Sequence, residues 1–170
     1  MIHIYTGCGK GKTTAAIGLA VRGAGAGMNV YFMQLLKNGS SSEIGMLRKL
    51  GIKLRYVPQC EKFTFNMNTD ELTAVKAEHN KILENVRELI ISGIADMIVI
   101  DEFFGAYDKN LLDRKFASEL ICNSKFNCEL ILTGRNAPDF FVEKADYVTV
   151  MESKKHPYDK NIAARKGIEY

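Results

Sequence analysis

A glycine-rich run near the start of the chain carries the residue types that bind a polyphosphate. It reads Thr6-Gly7-Cys8-Gly9-Lys10-Gly11-Lys12-Thr13-Thr14 and joins the apolar segment 2–5 to a helix-forming segment. Glycines let backbone N–H groups wrap around a polyanion, a lysine can reach the phosphates, and the hydroxyl beside it can ligate Mg²⁺. The order of strand, loop and helix is the context in which such a loop works. The run therefore predicts a phosphate-binding loop (P-loop) that binds a nucleoside triphosphate.

This loop is a variant of the usual one. The usual spacing G-x-x-x-x-G-K-[ST] would place its first glycine at position 6, where this chain has Thr6. We interpret Cys8 as a small residue that fills space in the loop, not as a nucleophile. A turn that merely joins a strand to a helix is the alternative to a nucleotide site. The candidate ATP-binding residues in the run are Thr6, Gly7, Gly9, Lys10, Gly11, Lys12, Thr13 and Thr14.

Two acidic residues end an apolar segment in the middle of the chain, Met97-Ile98-Val99-Ile100-Asp101-Glu102. Such a pair is typical of the acidic partner of a P-loop, which holds Mg²⁺ directly or through water. We predict a metal site at Thr13, Asp101 and Glu102. Glu102 has a second interpretation as the base that orients water in a hydrolase.

Three further segments, two at the ends of predicted strands and one in a predicted loop, carry candidate ligand-binding residues. Arg135, in Thr133-Gly134-Arg135-Asn136-Ala137-Pro138, could bind a phosphate with two hydrogen bonds. Gln34 lies at the end of the predicted strand 29–35 and Lys37 follows it, where the lysine is either a ligand group or an ordinary solvated side chain. Phe63 and Phe65 lie in a predicted loop, where they either pack into the core or contact a flat apolar ligand.

Predicted strands and helices alternate along the whole chain. We expect strands at about 2–5, 29–35, 52–57, 97–101, 128–133 and 146–151, and helices at about 13–26, 69–92 and 111–123, with a short helix after Pro138. The predicted fold class is α/β, a P-loop NTPase-like (RecA-type), mostly parallel sheet with helices on both faces, in a single domain over 1–170. Ligands then bind at the carboxyl ends of the strands. His79, in the long helix, is expected to face solvent.

The composition is typical of a compact cytosolic enzyme. The chain has 170 residues, 46% of them hydrophobic, which suits one domain with a full core. We predict no membrane anchor and no signal peptide. The four cysteines form no C-x-x-C pair and are expected to be reduced thiols. A net charge of +3 gives no argument for nucleic acid, so a negatively charged small molecule is the simpler ligand.

Taken together, these segments resemble the P-loop family of ATP:corrinoid adenosyltransferases over nearly the whole chain. The matching segments are Thr6-Gly7-x-Gly9-Lys10-Gly11-Lys12-Thr13-Thr14-Ala15-Ala16 with Arg22 and Gly25-x-Gly27, Gln34-x-x-Lys37, Glu43, Phe63-Thr64-Phe65, Asp101-Glu102, Thr133-Gly134-Arg135-x-Ala137-Pro138, Ala145-Asp146, and Lys155-His156-Pro157-Tyr158 running to Gly167-Ile168-Glu169-Tyr170. The closing segment and the Thr6 variant are more specific than a generic nucleotide motif.

The resemblance implies that a reduced cob(I) corrinoid, cob(I)alamin or a precursor, attacks the 5′-carbon of ATP and expels inorganic triphosphate. It implies that Lys12, Glu102 and Arg135 are catalytic, that Thr13 and Glu102 hold Mg²⁺, and that Phe63 and Phe65 close the lower face of the corrin. Many relatives have tryptophan where this chain has Phe65. A homodimer and a flavin or flavodoxin-type reductant are further implications. A P-loop hydrolase or kinase that releases ADP, and a regulator that binds without turnover, are the alternatives.

Overall fold

A computed structural model describes residues 1–58, 62, 64–123, 125 and 127–168. Its centre is a six-stranded sheet in the order β3-β2-β4-β5-β1-β6. Every strand pairing among the described residues is parallel, which confirms the predicted fold class. The strands are β1 (Ile2–Thr6), β2 (Val30–Gln34), β3 (Lys53–Tyr56), β4 (Met97–Asp101), β5 (Glu129–Thr133) and β6 (Tyr147–Val150).

The sheet is covered on both faces because side chains alternate along its strands. In β4, Ile98 and Ile100 join one buried cluster, and Met97 and Val99 join another. Successive side chains of a strand point to opposite faces, so the two clusters lie on opposite sides of the sheet. All five residues of β4 are buried, as expected for a central parallel strand.

The helices are α1 (Lys12–Gly25), α2 (Ile44–Lys49), α3 (Thr69–Ser92), α4 (Phe103–Asp108), α5 (Arg114–Asn123) and α6 (Asp139–Val142). The long predicted helix is confirmed at both ends. Asn68 and Glu71 form a reciprocal capping box at the start of α3, and Gly93 ends the helix with φ 65°. None of the helices among the described residues combines the length and the apolar character needed to cross a membrane.

The structure differs from the sequence predictions for the helices in three respects. Helix α5 begins at Arg114, three residues later than predicted, where the Asp113 carboxylate accepts the backbone N–H of Phe116 at 3.0 Å. The short helices α2 and α4 were not predicted from the sequence. The prediction that His79 faces solvent is wrong, because its side chain lies on the buried face of α3 and is fully buried.

Candidate functional site

Four loops meet at the carboxyl edge of the sheet. They follow β2, β4, β5 and β1, which are consecutive neighbours in the sheet. Because all these strands run in the same direction, their carboxyl ends lie along one edge. The sheet order therefore brings together the predicted P-loop, the Asp101-Glu102 pair, the Arg135 loop and the segment after Gln34.

The P-loop leads directly into α1. Gly11 precedes the helix with φ 112°, a left-handed conformation that favours glycine, and forms no side-chain cap. The first N–H groups of a helix point outward and favour an anion. Lys12 Nζ donates to the carbonyl oxygens of Gly7 (2.8 Å) and Gly9 (2.6 Å), so the lysine side chain folds over its own loop. Burial, followed by the charge of Arg135, lowers the pKa of Lys12.

Two loop glycines are required by close packing against the chain that follows β6. The N–H of Gly9 donates to Met151 O at 2.7 Å. A Cβ on Gly9 would lie 2.8 Å from the carbonyl carbon of Glu152, and one on Gly7 would collide with Met151 O. Only a residue without a side chain fits at either position. The strand-following segment 151–152 therefore fixes the shape of the P-loop.

Thr6, the departure from the usual motif, has a structural role. Its buried hydroxyl accepts the backbone N–H of Ala137 at 3.2 Å, which ties the P-loop to the loop after β5. In that loop, Gly134 has φ 143°, its N–H donates to Tyr5 O, and a Cβ there would lie 2.8 Å from Phe104 Cβ. These contacts hold the backbone beside Arg135, whose exposed side chain lines the same cleft as the P-loop.

Asp101 is the centre of a buried polar network. Its Oδ1 accepts hydrogen bonds from the hydroxyls of Thr13 (2.8 Å) and Thr133 (2.7 Å), and its Oδ2 accepts one from Lys37 Nζ (2.7 Å). Gln34 Nε2 lies 3.5 Å from the same Oδ2. A buried carboxylate needs such partners to remain charged. Asp101 therefore orients the Thr13 hydroxyl and is neutralised by Lys37.

Lys37 keeps its charge despite being largely enclosed. Burial acts to lower its pKa, but the adjacent Asp101 carboxylate outweighs this effect, and the net shift of the Lys37 pKa is upward. Lys37 Nζ also lies 3.5 Å from Thr13 Oγ1. The interpretation of Lys37 as an ordinary solvated lysine is therefore wrong, since its ammonium group belongs to the Asp101 network.

Glu102 adopts a left-handed backbone conformation with φ 61° at the start of α4. Its N–H donates to the Thr133 hydroxyl at 3.0 Å, and its side chain lines the cleft beside Lys12 and Thr13. Burial, with the neighbouring Asp101 charge, raises the pKa of Glu102. The described residues contain no cluster of three or more His, Cys, Asp and Glu side chains.

Two clefts adjoin at this edge. The smaller, of about 660 Å³, is lined by the P-loop, Glu102 and Arg135. The larger, of about 1210 Å³, extends along the 38–43 loop to Phe65. Residues shared by both linings include Lys10, Thr13, Thr14, Leu36, Glu102, Lys109 and Ile168. The P-loop cleft is therefore continuous with a cleft of nearly twice its volume.

The aromatic segment lies at the far side of the larger cleft. Phe65 belongs to a 3₁₀ turn (Thr64–Asn66), lines the cleft and is 78% exposed. Core packing, the alternative interpretation of Phe65, is therefore wrong. Phe63 lies outside the described residues. Lys62, next to it, forms an ion pair with Glu71 at 2.6 Å.

Comparison with known proteins matches this sequence over its full length. The family model described as ATP:corrinoid adenosyltransferase BtuR/CobO/CobP matches residues 1–170. The chain belongs to the ATP:corrinoid adenosyltransferase family. It is 31% identical over 173 residues to a corrinoid adenosyltransferase of a Sinorhizobium species, a match that covers 100% of this chain and 80% of the relative. It is 29% identical over 174 residues to corrinoid adenosyltransferase CobA of Salmonella typhimurium, covering 100% of this chain and 85% of that protein.

As a member of this family, the protein is an enzyme of the transferase class.

Several residues of its clefts were not predicted from the residue pattern. Leu36 and Lys109 line both clefts, and neither belongs to a motif with a recognisable chemistry. Lys109 directly follows α4, a helix that was not predicted from the sequence.

Proposed function

We propose that this enzyme transfers the 5′-deoxyadenosyl group of ATP to the cobalt of a reduced cob(I) corrinoid and releases inorganic triphosphate. In this step the cobalt supplies an electron pair, a Co–C5′ bond forms, and the C5′–O bond breaks. The electron pair of that bond leaves with the triphosphate. The observation that carries the proposal is the continuity of the P-loop cleft with the larger, partly apolar cleft that ends at Phe65.

The P-loop cleft supports departure of a highly charged leaving group. We assign the triphosphate to Thr6, Gly7, Gly9, Lys10, Gly11, Lys12, Thr13 and Thr14, with Arg135 at the outer edge. Fixed cations and N–H groups stabilise charge that develops on a leaving oxygen without reorganising. Among the described residues, the hydrogen bonds of the Lys12 ammonium group are made to neutral carbonyl oxygens of its own loop. A phosphate oxygen is a stronger, charge-assisted partner for its ammonium group.

The oxygen donors at this edge fit Mg²⁺. We propose that the Thr13 hydroxyl and Glu102 hold the ion and that Asp101 acts through the Thr13 hydroxyl, to which it is bonded at 2.8 Å. Bound Mg²⁺ would neutralise negative charge on the phosphates. Glu102, whose burial raises its pKa, must be deprotonated to serve as a ligand.

The larger cleft supports the corrinoid. We propose that Phe65, with Phe63, packs against the lower face of the corrin and keeps water and the lower ligand from cobalt. An aromatic side chain that is 78% exposed can gain buried area only when a ligand or partner covers it. We further propose an electron donor of the flavin or flavodoxin type, because the cob(I) state requires reduction. A homodimer and a cytosolic location complete the proposal, the latter in agreement with the free thiols of Cys8, Cys122 and Cys128.

The test is incubation with reduced cobalamin, ATP and Mg²⁺, followed by the visible spectrum and phosphate analysis. An adenosylated corrinoid formed together with triphosphate in equal amounts is the expected result. ADP release without an adenosylated product would instead assign Glu102 as the base of a hydrolase, for which its raised pKa is the favouring observation. Binding of ATP and corrinoid without any product would identify a regulator.

A further inference from the structure

A fully buried histidine lies beneath the turn that follows β2. The ring of His79, on α3, accepts the backbone N–H of Leu36 at Nε2 (3.1 Å), and its Nδ1 lies 2.6 Å from the carbonyl oxygen of Leu111. A carbonyl oxygen can only accept, so the Nδ1 carries the proton. Both ring nitrogens are therefore satisfied by one neutral tautomer, and no other protonation state fits both partners.

The turn that His79 contacts has a conformation that needs support. Leu36 has φ 57°, a region that bulky residues rarely adopt. Its neighbours are held on either side, because Leu35 N donates to Asp101 O at 3.0 Å and Val57 N donates to Lys37 O at 3.1 Å. The N–H of Leu36 would be a part-buried, unpaired donor without the His79 ring. Residues in such strained conformations persist when the surrounding structure fixes them, and they concentrate at functional sites.

The same turn supplies two residues to the site. The Leu36 side chain lies in the wall shared by both clefts, and the Lys37 ammonium group neutralises Asp101 at 2.7 Å. Asp101 in turn orients the Thr13 hydroxyl. A shift of the Leu36 backbone would therefore change the common wall of the clefts and the charge balance behind the proposed Mg²⁺ ligands at the same time.

We propose that His79 is a positioning residue: through its Nε2 acceptor it holds the Leu36–Lys37 turn in the conformation that both substrates require. The effect on catalysis rests on the proposed function, whereas the effect on the turn does not. The alternative role is purely structural: the His79 ring would only fill space in the core beside α3. In that role, the hydrogen bond of a particular ring nitrogen would not matter.

Two conservative variants separate these roles. In His79→Gln, the side-chain oxygen can replace the Nε2 acceptor for Leu36. In His79→Asn, the shorter amide can replace the Nδ1 donor for Leu111 but leaves Leu36 N–H without its acceptor. Both variants lose ring volume, so a purely structural role predicts similar losses of thermal stability and equal kinetics below the melting temperature.

The measurements are the nitrogen chemical shifts of the His79 ring in the wild type, the Leu36 amide resonance in all three proteins, MgATP affinity by calorimetry, and kcat and KM for both substrates. We expect the neutral Nδ1–H tautomer in the wild type. His79→Asn should shift the Leu36 amide, weaken MgATP binding and lower kcat/KM by about tenfold or more, since small displacements of a site are costly. His79→Gln should stay within about threefold of the wild type.

An Nε2–H tautomer in the wild type, or an Asn variant that matches the Gln variant in MgATP affinity and in the Leu36 resonance, would overturn the proposal. If the wild type forms no adenosylated corrinoid, the proposed function fails. The ring shifts, the Leu36 amide and MgATP affinity still decide the role of His79 in that case.

Discussion

Three of the cations that line the two clefts differ in what binds them. Lys37 is held by a carboxylate, Asp101, at 2.7 Å, and this pair is part of the folded framework. Lys12 instead contacts two neutral carbonyl oxygens of its own loop, and Arg135 is exposed at the cleft edge. A charge-assisted bond is roughly twice as strong as a neutral one. Of these three, Lys12 and Arg135 are the ones that a triphosphate can recruit, and Lys37 is the one that stays with the protein.

Lys12→Ala should abolish adenosyl transfer and leave the fold intact. The hydrogen bonds that the structure describes for this side chain are made to its own loop, whereas its loss removes the cation fixed over the phosphate cradle, an effect on the order of a hundredfold or more in kcat. Initial rates and a thermal unfolding curve are the measurements. Lys49→Ala, an exposed lysine of α2 outside both clefts, is the control and should keep full activity. Near-normal turnover of a folded Lys12→Ala protein would contradict the phosphate assignment.

Glu102→Gln should slow Mg²⁺-dependent transfer while the product remains triphosphate. A metal ligand affects charge neutralisation and not which bond is cut. The strained backbone of Glu102 is held by its N–H bond to Thr133, which the substitution leaves in place. Product analysis by anion-exchange chromatography, with rates measured against Mg²⁺ concentration, tests the prediction. Loss of an ADP-forming reaction in the variant would instead identify a water-activating base.

At the scale of elements, the P-loop depends on the segment after β6 for its shape. Gly9→Ala should destabilise the protein by about 1–3 kcal/mol and weaken MgATP binding, because the new methyl group would press on the 151–152 backbone. Gly18→Ala, in α1 with nothing within 4 Å of its added Cβ, is the matched control. It should stabilise the protein by about 0.4–1 kcal/mol. Urea unfolding and calorimetry with MgATP measure both effects. Equal behaviour of the two variants would show that segment 151–152 does not shape the loop.

Elements with long periodic patterns were predictable from the sequence, and those formed by tertiary packing were not. Helix α3 has both a capping box and a continuous apolar face. Helix α4 is six residues long and contains three aromatic residues and a glycine, which are weak helix formers. It forms because Phe103 and Phe104 pack against Phe141 of α6 with ring centroids 5.5 and 5.7 Å apart. No local pattern encodes that contact.

The error at His79 has a different cause. Val75, His79, Ile82 and Val86 are spaced three and four residues apart, so the histidine lies on the apolar face of α3. The spacing alone therefore indicated burial, and the polar residue type misled the prediction. What the sequence could not supply is the pair of backbone partners, Leu36 and Leu111, which lie 43 and 32 residues away along the chain.

At the scale of the whole molecule, the sheet order decides which predicted residues meet. The sequence paired Asp101-Glu102 with the P-loop, but for the Arg135 loop and Gln34-Lys37 a parallel sheet predicts only that they share the same edge. The order β2-β4-β5-β1 makes them neighbours. Strand order depends on long-range pairing and has no signal in a single sequence. The sequence predicted that Asp101 and Thr13 meet at one site, whereas the bonds of Asp101 to Thr133 and Lys37 depend on the strand order and were not predicted.

Global stability should fall as the pH decreases below about 6.5, in part through His79. Burial, opposed by the bond to Leu111, lowers the pKa of His79 in the folded protein from its usual 6.5. The unfolded chain then binds a proton that the folded chain does not, so the free energy of unfolding decreases as the pH falls from 6.5 towards the folded pKa.

Urea unfolding at pH 7.5 and at pH 5.5 measures this effect, with His79→Gln as the control. The nearby ionisable side chains remain the same in both proteins, and Glu78 is paired with Lys81 at 2.6 Å. The difference between wild type and variant should therefore shrink on acidification. A difference that is the same at both pH values would contradict a neutral His79.

Substitution of Phe65 tests whether the two clefts act as one site. Its side chain is 78% exposed, so Phe65→Ala should change the free energy of unfolding by no more than about 0.5 kcal/mol. If Phe65 packs under the corrin, the same variant should strongly reduce formation of four-coordinate cob(II)alamin at saturating ATP while ATP affinity is retained. Phe65→Trp should preserve or increase formation of four-coordinate cob(II)alamin, since the larger ring covers more apolar surface.

The measurements are the near-infrared or magnetic-resonance signature of four-coordinate cob(II)alamin and ATP affinity by calorimetry. Ile91→Ala is the matched control, because Ile91 is 77% exposed and lies on α3 outside both clefts. It should leave the cobalt signature unchanged, since removing exposed apolar surface elsewhere does not alter corrin contact. An alanine variant at position 65 that keeps the full signature would separate the aromatic turn from the reaction, and the corrinoid would then have to be bound by the remaining wall of the larger cleft.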